Sequence, residues 1–148
     1  MCEVIEHLNF NPLPVLKEIN RILHKDGFLY IGMPNQARIL NRIRLLLGKS
    51  IHDSIDHYFR QLDKNDNMIV GLHWREYTLD ETVEMTERLG FRTVRKYLFV
   101  EKYNTRKNIK TLLASLAYTI PSLRPFQVII GQKVADPAYD FWLTEASS

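Results

Sequence analysis

The 148 residues include one cysteine, Cys2, and six glycines, no two of them in a G-x-G spacing. A single cysteine excludes an intramolecular disulfide and suits a reducing compartment. No apolar run approaches the ~20 residues that cross a bilayer. Glu3 and Glu6 stand where a secretory signal would carry positive charge, so a cytoplasmic protein is expected. Acid is scarce in two stretches. Between Phe91 and Lys133 nine Lys or Arg meet one acid, Glu101, and Arg38, Arg42, Arg44 and Lys49 have no acid among them. Such stripes suit anionic partners, membrane surfaces included, or are simply solvated helix faces.

What is present reads as one ordinary globular domain, with 45% hydrophobic and 25% charged residues and a net charge of +3. Asn11 and Pro12 are suited to start a helix, whose apolar face is Leu13, Leu16, Ile19, Ile22 and Leu23. Gly27 is placed for a turn. Phe28 to Met33 is a nearly continuous apolar run, expected as a strand covered on both faces and stopped by Pro34. A second helix is predicted over 36–47, with Ile39, Leu40, Ile43, Leu46 and Leu47 on its buried face. "TLDE" at 78–81 is a capping box opening a helix that Gly90 ends. Strands are expected over 91–100 and 127–134, with a helix over 106–118 between them. Helix, tight turn and buried strand in this order belong to an α/β sheet.

Among candidate sites, Asn35 follows a strand, where α/β sheets place ligands. His73, Arg75 and Tyr77 alternate, so an extended segment would turn all three to one side, suiting an anionic or hydroxylated acceptor. An exposed edge, with Trp74 and Glu76 packed inward or paired, explains the same pattern. "HDSIDH" at 52–57 puts its His–Asp pairs on different helix faces, and "EVIEH" lacks the second histidine of a zinc helix, so no metal is expected. No aromatic-interleaved basic motif supports a nucleic-acid partner.

The ordered set "EVIEHL", "LKEINRIL", "GFLYIGMPN", "HWREYTLDE" and "ERLGF" resembles the C-terminal half of class I S-adenosylmethionine-dependent methyltransferases. Within them it is most similar to the branch acting on small molecules, saccharides and lipid-linked acceptors. The likeness covers 2–35 and 73–100, and extends to 127–134. The turn Leu23-His24-Lys25-Asp26-Gly27 lacks the family's usual Pro and first Gly, a departure that Asp tolerates.

The resemblance implies a partial Rossmann-like α/β sheet over 1–135, with helices on both faces and an antiparallel edge pair. Residues 36–72 would be a variable lid, and 136–148 a tail whose Tyr139, Phe141 and Trp142 dock. S-adenosylmethionine is the implied cofactor, bordered by Cys2, Glu3 and Val4, with His7 facing the reaction centre as a general base. The Gly-rich half of the family's cofactor site has no counterpart here. The chain is therefore expected to be an incomplete methyltransferase with little activity alone. Its alternatives are a non-catalytic or partner-binding subunit, completed as an oligomer or by another chain, and a peripheral membrane protein.

Overall fold

A computed structural model describes residues 1–62, 72–101 and 109–137. The tail aromatics Tyr139, Phe141 and Trp142, the helix-start cations Arg106 and Lys107, and positions 63–71 of the expected lid lie outside them.

Three strands make one sheet in the order β1 (Phe28–Pro34), β3 (Phe126–Lys133), β2 (Phe91–Phe99), with both pairings antiparallel. The register sets Leu29, Ile31 and Met33 on the same face as Ile129, Gly131 and Phe91. Against that face pack α1 (Leu13–Ile22), through Leu16, and α4 (Leu79–Arg88), with Leu89 just beyond it; together they form the core. Removing such side chains from water is the main stabilising term of the domain. Two buried polar ties join the layers. Asn20 donates to Leu89 O at 2.8 Å, and Lys133 Nζ donates to Asn20 O at 2.7 Å.

The local signals behave as elementary chemistry requires. Leu13 N–H donates to Asn11 Oδ1 at 3.0 Å, so Asn11 satisfies a donor that the helix start leaves free. Thr78 and Glu81 close a reciprocal capping box at the start of α4. Gly90 ends that helix at φ 84°, where an added Cβ would overlap the Ala135 carbonyl.

Three expectations are corrected. Strand β1 is covered fully on one face only: Phe28 and Tyr30, on the other, are exposed, as is Tyr97 of β2. The second helix, α2 (Ile39–Leu46), is shorter than predicted and turned over. Its buried residue is Asn41, while Leu40, Ile43, Leu46 and Leu47 face outward. Ile22 of α1 is likewise exposed. The remaining helices are α3 (Ile55–Leu62), unassigned from the sequence, and α5 (Ile109–Ala117). Among the described residues no helix is long and apolar enough to cross a membrane.

Candidate functional site

The site is built where the first residues meet the edge of the sheet. The Met1 ammonium donates to Tyr30 O at 2.7 Å, Gly32 N–H to Met1 O at 3.0 Å, and Glu3 N–H to Gly32 O at 2.9 Å. Residues 1–3 thus run as a short parallel strand along β1, with Cys2 opposite Gly32. Glu3 then takes φ 50°, a left-handed conformation uncommon for a non-glycine residue. The chain turns off the sheet edge into one 3-10 turn, Ile5–His7, anchored by the buried Ile5.

That turn buries Glu6 completely, and neither of its carboxylate oxygens meets a hydrogen-bond donor. The main-chain oxygen of Glu6 accepts from Trp74 N–H at 2.7 Å. This bond ties the segment before α4 to the turn and carries His73 to His7. The two imidazoles stand edge to face with centroids 4.6 Å apart. One ligand atom from each of Glu6, His7 and His73 falls within 4.8 Å of the others.

The tautomers follow from the partners. His7 Nδ1 lies 2.9 Å from Leu72 O, and a carbonyl only accepts, so Nδ1 carries a proton and the neutral ring has its lone pair on Nε2. His73 Nδ1 faces Glu76 Oε1 at 3.2 Å, which sets the same tautomer. Glu76, itself buried, also meets Arg38 at 2.8 Å and Asn41 Nδ2 at 2.9 Å. One ring nitrogen from each imidazole and an oxygen of the buried Glu6 lie close enough to make a donor set of the kind that divalent metals such as zinc take. They are equally competent proton acceptors. Beside Glu6, Glu3 is pushed up to about 7 by burial, then by the charge of Glu6 and a hydrogen bond to it. A proton held by Glu3 therefore relieves the pair when no cation does.

The other candidates are placed as follows. Cys2 is exposed and Val4 half-exposed beside the cluster. Asn35 is buried, and both its amide hydrogens are engaged, with Ser122 O at 3.2 Å and Arg124 O at 2.8 Å. His73, Arg75 and Tyr77 do not share one side. His73 borders a cavity of about 670 Å³ together with Glu76, Arg38, Arg44 and Lys49. Arg75 and Tyr77 line a separate groove of about 410 Å³ beside α1 and α4, where Arg75 pairs with Glu81 at 2.8 Å and lies over the Tyr77 ring. Glu76 is packed inward and paired, as the alternative reading of the 73–77 alternation had it, whereas Glu6 was missed as a site residue because a lone acid in an apolar stretch carries no sequence signal. Only the contact with the distant segment at His73 brings Glu6 into the site.

No family model matches the sequence, and comparison with curated proteins finds no match. Solved structures do match. The chain is 21% identical, with a TM-score of 0.50 over 90% of its length, to a SAM-dependent methyltransferase from Thermotoga maritima described as a possible histamine N-methyltransferase. It is 11% identical, with a TM-score of 0.54 over 93%, to a Haloferax volcanii methyltransferase solved in complex with the Trm112 methyltransferase activator. The fold is that of part of a methyltransferase. The chain spans 54% of each of those two structures.

Proposed function

We propose that this chain is the acceptor-side part of an S-adenosylmethionine-dependent methyltransferase acting on a small-molecule, saccharide or lipid-linked acceptor. The observation that carries this reading is the Glu6–His7–His73 cluster, seated beside β1 in a fold shared with two methyltransferases. The cofactor, when bound, supplies a methyl group on an electrophilic sulfonium. The residues present fit one wall of its site: Cys2, Glu3 and Val4 lie at the sheet edge, but no Gly-rich loop of G-x-G spacing occurs in the sequence. Cofactor binding by the chain alone is accordingly weak, and the exposed Phe28, Tyr30 and Tyr97 favour a complementing partner on that face. His7 Nε2, free of a proton, accepts one from an acceptor hydroxyl or amine as the methyl transfers. Leu72 O keeps the ring in that tautomer.

The test is photochemical cross-linking with methyl-labelled S-adenosylmethionine at millimolar concentration, followed by peptide mapping. Label on the peptide spanning residues 1–8 is expected. Absence of label, or label confined to the groove at Arg75 and Met85, contradicts the reading.

The two unpartnered oxygens of Glu6 favour a second reading of the same cluster, as a divalent-cation site. A cation held by Glu6, His7 and His73 would polarise an acceptor hydroxyl directly. Melting in zinc, in magnesium and in chelator separates the two. A saturable rise in Tm that Glu6→Gln removes supports the cation, and an unchanged Tm leaves proton acceptance by His7 as the chemistry.

A further inference from the structure

Helix α2 and helix α3 present apolar side chains outward around a basic cavity. Leu46 is 85% exposed, Leu47 65%, Ile55 70% and Phe59 64%. Single exposed leucines are ordinary, whereas a group of large ones on two successive helices marks an interaction surface. Ile55 and Phe59 are one turn apart and therefore share a face of α3. The outward orientation of α2 is built in: its inner side is fixed by Asn41, which donates to Gln36 O at 2.9 Å and to Glu76 at 2.9 Å.

The cavity that the two helices border is lined by Arg38, Arg44 and Lys49 with Ser50 and Ser54. Its acids are already engaged. Glu76 meets Arg38, Asn41 and His73, and Asp53 accepts from His73 N–H at 3.2 Å. Among the described residues Arg44 and Lys49 meet no acidic side chain, and positions 38–52 contain no acid.

We propose that this lobe docks on an anionic lipid surface, with a headgroup phosphate held by Arg44 and Lys49 in the cavity and Leu46, Leu47, Ile55 and Phe59 in the acyl boundary. Charge complementarity argues for this occupant: Arg44 and Lys49, in a cavity whose acids Glu76 and Asp53 are already engaged, match an anionic bilayer together with the exposed leucines, whereas a soluble phosphate would use only the cations. The inference is independent of methyl transfer, so it stands or fails separately from the proposed function.

The test is co-sedimentation of the full chain with vesicles of phosphatidylcholine alone and of phosphatidylcholine mixed with phosphatidylglycerol. Binding to the mixed vesicles only, weakened by salt, is expected. Arg44→Glu with Lys49→Glu should lower the partition coefficient more than about thirtyfold, since each basic residue near such a surface contributes about 1 kcal/mol and about 1.4 kcal/mol is tenfold. Leu46→Ser with Leu47→Ser should abolish binding, while Leu112→Ser with Leu116→Ser on α5 leaves it unchanged. Melting curves that match the parent chain confirm that the variants fold. Binding to neither vesicle, equal binding to both, or α2 variants that bind like the parent would overturn the proposal. So would a Tm rise with glycerol phosphate in a chain that ignores vesicles, which would assign the cavity to a soluble anion.

Discussion

His7 and His73 come from distant parts of the sequence, yet their rings stand 4.6 Å apart and nearly perpendicular, each with Nδ1 held by an oxygen. The Trp74 N–H to Glu6 O bond at 2.7 Å locks the two segments together. If His7 is the proton acceptor, His7→Asn in the active assembly lowers kcat by about 10²- to 10⁴-fold. Labelling of residues 1–8 by the cofactor should be unaffected. A variant that loses both has lost the fold of the turn instead, which its melting curve would show.

Glu6 is buried and, apart from the Glu3 carboxyl when that group holds its proton, meets no hydrogen-bond donor, an arrangement that costs about 1–3 kcal/mol. Glu6→Gln should therefore raise the unfolding free energy in chelator by about that amount while removing any gain from zinc. Denaturant titrations with and without the metal give both values. A destabilised Glu6→Gln variant in chelator would show that the carboxylate has a partner after all.

Glu3 predicts a pH dependence whose sign is fixed. Partial desolvation of this surface residue, then the charge of Glu6 and a hydrogen bond to it, push its carboxyl up to about 7 in the folded chain from the usual 4.5. Between these values the folded state holds a proton that the unfolded state has released. The contribution is thus fully present below pH 4.5, declines as pH rises and is lost through pH 7. Glu3→Gln should flatten that part of the profile, measured by denaturation at a series of pH values. A parent profile rising over the same interval would contradict the assignment.

Arg38 balances the buried Glu76 at 2.8 Å. Removing one partner of such a pair leaves the other charge uncompensated, at about 3 kcal/mol. We expect Arg38→Ala to cost about that much and to disturb the His73 ring resonances, because Glu76 is also the partner of His73 Nδ1. A shift in stability without any change at His73 would uncouple the two.

The capping box is the plainest local test. Thr78→Ala should cost about 1 kcal/mol, because Glu81 N–H loses the Thr78 hydroxyl as its acceptor. An unchanged denaturation midpoint would mean that water replaces the cap without loss.

The sequence made legible what local chemistry decides. Asn11, Thr78, Glu81 and Gly90 act at helix ends as their side chains require, and the three strands of the sheet lie within a residue or so of where apolar runs put them. It failed where burial depends on what the rest of the fold leaves room for. The apolar stripe of α2 implied a core face, but Asn41 is fixed inward by Glu76, leaving the leucines outside. Likewise, alternation in 73–77 assumed an extended segment, whereas the bond from Trp74 to Glu6 turns His73 toward His7 and leaves Arg75 and Tyr77 in another groove. His7 was recognisable as a base by resemblance. Its partnership with His73 is a long-range contact.

The proposed function requires the first eight residues and His73 to form one ligand site at the edge of the sheet. Amide chemical shifts of the isotope-labelled chain, followed while S-adenosylmethionine is titrated into the millimolar range, test it most directly. Saturable shifts are expected at Cys2, Glu3, Val4, His7 and Gly32, with smaller ones at His73. No saturable shift anywhere, or shifts grouped at Asn11, Arg75 and Met85, would contradict it.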